Sequence, residues 1–95
     1  MSNQTLSKQT LVGGWTTYES LTIVDRKVFN EATKNGKILG VNYTPEKVAT
    51  QVVAGMNYRF KCDASLSPSE VIWQAIIVIY QPLDGKAHIV SITRL

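Results

Sequence analysis

A change in the spacing of apolar residues constrains this chain more than any other feature. Between residues 18 and 32 the apolar side chains recur every three or four positions, which is the spacing of one face of an α-helix. From residue 37 onward they alternate with polar residues or form short apolar runs, as strands do. A short β segment, one helix and then four strands joined by short turns predict an α+β fold, in which an antiparallel β-sheet of four to five strands wraps around one long α-helix.

The helix is predicted over residues 17–34. Thr16 fits the N-cap position, and Glu19 three residues later completes a capping box. Asn35-Gly36 supplies the end of the helix, because glycine adopts the left-handed conformation at little cost. The apolar stripe of this helix comprises Tyr18, Leu21, Val24, Val28, Phe29 and Ala32.

Turn-forming residues separate the predicted strands. Pro45 cannot donate a backbone hydrogen bond, so it indicates a bulge between strand segments at 37–43 and 47–53. The other predicted strands are 58–62, 71–80 and 87–94. They are joined by turns at 54–57 and 81–86 and by a loop at 63–69.

Length, charge and hydropathy exclude several classes of function. The 95 residues are enough for one domain, expected at 11–95 after a flexible tail at 1–10. Ten Lys and Arg against seven Asp and Glu leave a charge of +3, and only 18% of residues are charged, so we expect no nucleic-acid partner. The tail has no apolar stretch of signal-peptide length, and the longest apolar run, 75–80, is too short to span a membrane. We therefore expect a cytoplasmic location and no membrane partner, and release by a non-classical route is left open.

Few residues could carry catalytic chemistry. Cys62 is the only cysteine and His88 the only histidine, so a thiolate–imidazole pair is the nucleophilic site to consider. Cys62 has the same strand parity as Tyr58 and Phe60, which predicts a buried structural thiol. We expect no catalytic residue, no metal site and no cofactor, and the chain is not expected to be an enzyme.

Three apolar segments lie where a tail or a turn is usually polar. They are Leu11-Val12-Gly13-Gly14, Gln51-Val52-Val53-Ala54-Gly55 and Pro82-Leu83. Taken singly, they have ordinary interpretations as a flexible joint, strand residues and a turn. In an antiparallel sheet, however, the two hairpin turns could share one end, and the N-terminal segment could reach it. Apolar residues exposed together on one edge would indicate a partner site.

These segments resemble the motifs of the cystatin family. Gln51-Val52-Val53-Ala54-Gly55 matches the family signature Gln-x-Val-x-Gly, and Leu11-Val12-Gly13-Gly14 is similar to its N-terminal trunk, with Gly13 at the position of the family's glycine. The helix, the signature hairpin and a second hairpin with Pro82 follow in the family's order over nearly the whole chain. The short chain without disulfides resembles the intracellular stefin type, whereas the trunk resembles the secreted type. The second hairpin has Pro82-Leu83 where secreted cystatins have Pro-Trp and stefins commonly have Pro-Gly.

The resemblance implies a cystatin-like fold and reversible, tight-binding inhibition of papain-like cysteine proteases of the cathepsin type. Val12 would fill the S2 pocket and Leu11 the S3 region, and Gly13 would let the backbone leave before a scissile bond meets the enzyme thiolate. The tip at 52–54 would block the catalytic centre, and Pro82-Leu83 would cover the primed side. The implied protease-binding residues are Leu11, Val12, Gly13, Gly14, Gln51, Val52, Val53, Ala54, Gly55, Pro82 and Leu83.

Other functions remain open at this point. A cystatin-fold module could use the same edge to bind a protein that is not a protease, because fold does not fix function. An enzyme of this fold would need inward-facing acids or a pocket. The resemblance also implies a chain that is mainly monomeric and that can form a domain-swapped dimer. Val53, a stiff β-branched residue in a tight turn, is expected to be strained and to favour that exchange.

Overall fold

A computed structural model describes residues 14–66 and 70–95. Within these ranges the chain forms one helix and one antiparallel five-stranded sheet, which is curled and whose strands lie in chain order. The α+β prediction is confirmed. The elements are α1 (Ile23–Thr33), β1 (Lys37–Ile38), β2 (Val41–Val53), β3 (Gly55–Ser65), β4 (Trp73–Gln81) and β5 (His88–Arg94).

The helix begins later than the sequence pattern predicts. Thr22, not Thr16, is the N-cap: its hydroxyl accepts a hydrogen bond from the Asp25 amide at 3.1 Å, and the Asp25 carboxylate accepts one from the Thr22 amide at 2.9 Å. Residues 15–19 instead lie along the edge of β2, where the Glu19 amide donates to the Val48 carbonyl at 2.8 Å. A helix that began at residue 17 would leave these backbone groups of β2 unpaired. The prediction of a long helix is therefore wrong, and α1 has 11 residues.

The late start of the helix also changes its buried face. Val28 and Phe29 are buried as predicted, and Leu21 and Ala32 pack against the core from its margin. Val24 is 63% exposed, and Tyr18, which precedes the helix, is also exposed. The assignment of these two residues to the apolar stripe of the helix is therefore wrong. The stripe is therefore shorter than the spacing of apolar residues indicated.

The strands follow the predicted order with different limits. The bulge at Pro45 is confirmed, because the β2–β3 register shifts between Pro45 and Lys47. The predicted strand at 37–43 is interrupted by a turn at Leu39 and Gly40, which separates β1 from β2. The first hairpin is tighter than predicted, since β3 begins at Gly55, and β3 continues to Ser65 into the predicted loop. Residues 67–69 of that loop lie outside the described residues.

The core lies between α1 and one face of the sheet. Phe29 of the helix meets Phe60 of β3 edge to face, with ring centroids 5.1 Å apart. Phe60 also stacks on Tyr58 at 5.7 Å. The other buried members of this cluster are Val28, Val48, Cys62, Ile77, Ile79 and Ala87. In the described part of the chain, no helix has the length and apolar character that a bilayer crossing requires.

Candidate functional site

The β2–β3 hairpin reverses direction within a single residue. Val53 pairs with Gly55 across the turn, and Ala54 lies between them. Val53 is 39% exposed and Ala54 is also exposed, whereas Val52 is half-buried. The left-handed backbone of this turn falls on Gly55, with φ 108°, and Val53 lies within strand β2. The expectation of strain at Val53 is therefore wrong, because the position that requires a left-handed backbone is occupied by a glycine.

The β4–β5 turn lies beside the first hairpin. Met56, the second residue of β3, pairs with Gln81, the last residue of β4, so both turns lie at the same end of the sheet. Pro82 is half-buried and Leu83 is 83% exposed. The Gln81 side-chain amide donates to the Gly85 carbonyl at 2.7 Å, and this hydrogen bond spans the turn.

The two turns are in contact with each other. Gly55 is buried although it belongs to a hairpin turn. A Cβ atom added there would overlap the carbonyl oxygen of Gln81 and lie 3.1 Å from the Cα of Pro82. The hydroxyl of Tyr80 in β4 donates a hydrogen bond to the carbonyl of Ala54. We call the surface made by the exposed residues Val53, Ala54 and Leu83 and the half-buried Pro82 the hairpin edge.

The N-terminal segment enters at the same end of the sheet. Trp15 forms an antiparallel bridge with Gln51, close to the first turn. The Thr16 amide donates to the Thr50 carbonyl at 2.8 Å, and the Thr50 amide donates to the Thr16 hydroxyl at 2.9 Å. Gly14, which precedes Trp15, is half-buried. The other predicted trunk residues, Leu11, Val12 and Gly13, lie outside the described residues.

Gln51, the first residue of the signature, is held by a side chain of the facing strand. The Asn57 side-chain amide donates to the Gln51 side-chain carbonyl at 2.8 Å, and the two residues are paired across β2 and β3. Gln51 is half-buried and also bridges to Trp15. Its position joins the first hairpin to the N-terminal segment behind the hairpin edge.

Three residues of this region were not predicted from the sequence: Trp15, Asn57 and Tyr80. Trp15 follows the glycine pair directly, and an aromatic residue at that point could have indicated an anchor for the segment. Asn57 follows the signature and could have been assigned as a polar partner for Gln51. Tyr80 gave no comparable signal, because the atom that its hydroxyl contacts is 26 residues away along the chain.

Cys62 and His88 do not form a catalytic pair. Cys62 pairs with Ala75 of β4, whereas His88 pairs with Tyr80, five positions further along the same strand. At about 3.3 Å per residue these positions are about 17 Å apart along the sheet. The Cys62 thiol is fully buried, and burial, with Asp63 and Glu46 nearby, raises its pKa to about 12. Such a thiol stays protonated and is a poor nucleophile at neutral pH.

The described residues contain no pocket and no group of three or more His, Cys, Asp or Glu residues that could hold a metal ion. Comparison of the chain with protein-family models, curated proteins and solved structures finds no match. The functional proposal therefore depends on the motifs and on the geometry of the hairpin edge.

Proposed function

We propose that this chain is a reversible, tight-binding inhibitor of papain-like cysteine proteases of the cathepsin type, with a cystatin-like fold. The observation that carries the proposal is the hairpin edge. The turn of the Gln51–Gly55 signature and the Pro82-Leu83 turn lie side by side at one end of the sheet, and both present apolar side chains to solvent. This is the arrangement that a wedge inserted into an extended cleft requires.

The edge supports binding because its apolar groups are exposed on a braced backbone. Leu83 and Val53 extend from two turns that contact each other, and each turn adjoins a long strand. Removing an exposed aliphatic side chain from water contributes about 1.5–3 kcal/mol when its burial is complete. Because the turns are already ordered, little of that free energy is lost to ordering the loops on binding.

The wedge needs no reactive group from the inhibitor. The first turn would cover the catalytic centre of the protease, and Pro82-Leu83 would cover the primed side of the cleft. The N-terminal residues before Trp15 would occupy the non-primed side, and Trp15 fixes where that segment leaves the sheet. Inhibition in this arrangement is occlusion, so the protease thiol remains unmodified and activity returns on dissociation.

The test is a titration of papain and a small panel of cathepsin-type proteases with the purified chain. We expect tight inhibition, full recovery of activity on dilution, and an enzyme thiol that still reacts with a thiol reagent after recovery. Absence of inhibition across the panel at micromolar protein would contradict the proposal and would favour a partner that is not a protease.

A matched pair of substitutions locates the inhibitory surface. Leu83→Asp places a charge in the hairpin edge, and we expect inhibition to weaken by about tenfold or more, since desolvating a charge against an apolar surface is unfavourable. Leu39→Asp is the control. Leu39 is 99% exposed, and it precedes β2, at the opposite end from the first turn. Equal inhibition by the two variants would show that the hairpin edge is not the binding surface.

A further inference from the structure

A hydrogen bond joins the two hairpins at the base of the hairpin edge. The Tyr80 hydroxyl donates to the carbonyl of Ala54, the residue that forms the turn between β2 and β3. Because Val53 pairs with Gly55 around it, Ala54 is outside the β2–β3 ladder. The hydroxyl therefore fixes the part of the first turn that strand pairing does not.

Close backbone packing supplies a second link at the same place. Gly55 has no side chain, and the end of β4 occupies the space that a Cβ atom would need. That Cβ position is 3.1 Å from the Tyr80 hydroxyl oxygen and 3.1 Å from the Cα of Pro82. The first turn thus rests on both the backbone and the tyrosine hydroxyl of the second hairpin.

The second hairpin is itself braced next to Tyr80. The side-chain amide of Gln81 donates to the carbonyl of Gly85 at 2.7 Å and lies 3.4 Å from the carbonyl of Pro82. Across the β4–β5 pair, the Tyr80 ring packs edge to face with His88 of β5, with centroids 5.7 Å apart. The ring is therefore held by β5 while its hydroxyl reaches the first turn.

We propose that Tyr80 is a positioning residue that makes the two turns one rigid edge. Its hydroxyl holds the Ala54 peptide, which sets the direction in which Val53 and Ala54 face solvent relative to Leu83. An edge that is ordered before binding loses less conformational entropy in the complex. The inhibitory consequence rests on the proposed function, whereas the ordering of the first turn does not.

The experiment compares Tyr80→Phe with wild type. Phenylalanine keeps the ring that packs on His88 and removes only the hydroxyl. Tyr43→Phe is the matched control, because Tyr43 pairs with Ala64 near the other end of the β2–β3 hairpin. Residue-resolved amide exchange by NMR reports the order of residues 52–56, and inhibition of papain reports the function. Circular dichroism checks that all three proteins are folded.

We expect Tyr80→Phe to speed amide exchange in residues 52–56 by about three- to tenfold, which is the effect of losing one net hydrogen bond. The exchange rates of residues 58–62 in β3 should not change. Inhibition should weaken by a similar factor through faster dissociation. Tyr43→Phe should change neither readout at these positions.

Two results would overturn the inference. Unchanged exchange in residues 52–56 would show that the hydroxyl does not order the turn. Faster exchange with unchanged inhibition would show that the order of this turn has no part in binding. If the wild-type chain inhibits no protease of the panel, the proposed function fails, and the exchange measurement alone decides whether Tyr80 orders the turn.

Discussion

The guanidinium of Arg59 lies over the indole ring of Trp15, with Cζ 3.8 Å from the ring centroid. Trp15 is bridged through its backbone to Gln51 at the edge of β2, and Arg59 belongs to β3. The N-terminal segment is therefore held by two strands, by the backbone of one and a side chain of the other. This double attachment fixes the segment next to the hairpin edge.

Removing the charge from Arg59 should weaken inhibition. A cation–π contact at a partly exposed site contributes about 0.5–1 kcal/mol, so Arg59→Gln should raise the inhibition constant by about two- to fivefold. The measurement is the inhibition constant for papain, with the free energy of unfolding determined in urea for each variant.

A second arginine–tryptophan pair provides the control for this prediction. Arg94 lies over Trp73, with Cζ 4.8 Å from the ring centroid, and Trp73 begins β4 at the end opposite the hairpin turns. Arg94→Gln should lower the free energy of unfolding by about 0.5–1 kcal/mol, the contribution of one cation–π contact. It should leave the inhibition constant for papain unchanged. If both variants change inhibition equally, Arg59 acts only through general stability.

The buried thiol should make stability depend on pH in the alkaline range. Burial, with Asp63 and Glu46 nearby, raises the pKa of Cys62 to about 12 in the folded chain, against about 8.5 for an unfolded cysteine. Between these values the unfolded chain has released a proton that the folded chain retains, so rising pH favours unfolding. The free energy of unfolding should fall by up to about 1.4 kcal/mol per pH unit above pH 9 from this group.

Comparison with Cys62→Ala isolates this contribution. The variant should be less stable than wild type at neutral pH because it leaves a cavity, but its stability should fall less steeply between pH 8.5 and 10. Burial, with Asp25 nearby, also raises the pKa of Tyr58, and that group adds to the fall only above about pH 10 in both proteins. Urea unfolding at several pH values provides the slopes, and parallel curves for the two proteins would contradict the prediction.

The local features of the fold were predictable because their signals are local. Alternation of Tyr58, Phe60 and Cys62 with polar residues places one face of β3 in the core, and all three are buried. Pro45 indicated the bulge because a missing amide donor must interrupt a ladder wherever it occurs. The turns at the two hairpins follow from the short gaps between apolar strands.

The start of the helix was not predictable from local sequence. Thr16 with Glu19 and Thr22 with Asp25 both have the spacing of a capping box, and only the second pair caps the helix. The first pair was excluded by pairing between residues 15–19 and β2, which is 29 residues away at the Glu19–Val48 bridge. The contact of Tyr80 with Ala54 is non-local in the same way. The spacing of apolar residues along the chain indicates which face of a helix or strand is buried. Which elements contact each other depends on the whole fold.

A domain-swapped dimer should form by opening of the first hairpin. Ala54 alone connects the paired residues Val53 and Gly55, so straightening this turn would join β2 and β3 into one extended segment that can pair with a second copy. Opening would also break the hydrogen bond from Tyr80. We expect a monomer as the inhibitory form and a slowly formed dimer after mild heating, with unchanged secondary structure and no inhibition. Size-exclusion chromatography with inhibition measured on each peak checks this, and a dimer as inhibitory as the monomer would exclude opening at Ala54.

The contact at Gly55 predicts that two glycines in left-handed backbone will respond differently to alanine. Gly55 has φ 108° and Gly40 has φ 82°, so alanine is conformationally unfavourable at both, by about 1–2 kcal/mol. At Gly40 a Cβ atom would meet nothing within 4 Å, so this conformational cost is the whole expected effect. At Gly55 the Cβ atom would overlap the backbone of Gln81, and overpacking of this kind adds about 1–3 kcal/mol.

Gly55→Ala should therefore destabilise the chain more than Gly40→Ala, and it should also weaken inhibition, because relieving the overlap with the Gln81 carbonyl oxygen requires the two turns to move apart. Gly40→Ala leaves the hairpin edge in place and should inhibit as wild type does. Urea unfolding measures the first difference, and titration of papain measures the second. Equal loss of stability in the two variants would mean that the turns are not in contact in solution. A folded Gly55→Ala variant with wild-type inhibition would mean that the spacing of the turns does not matter for binding.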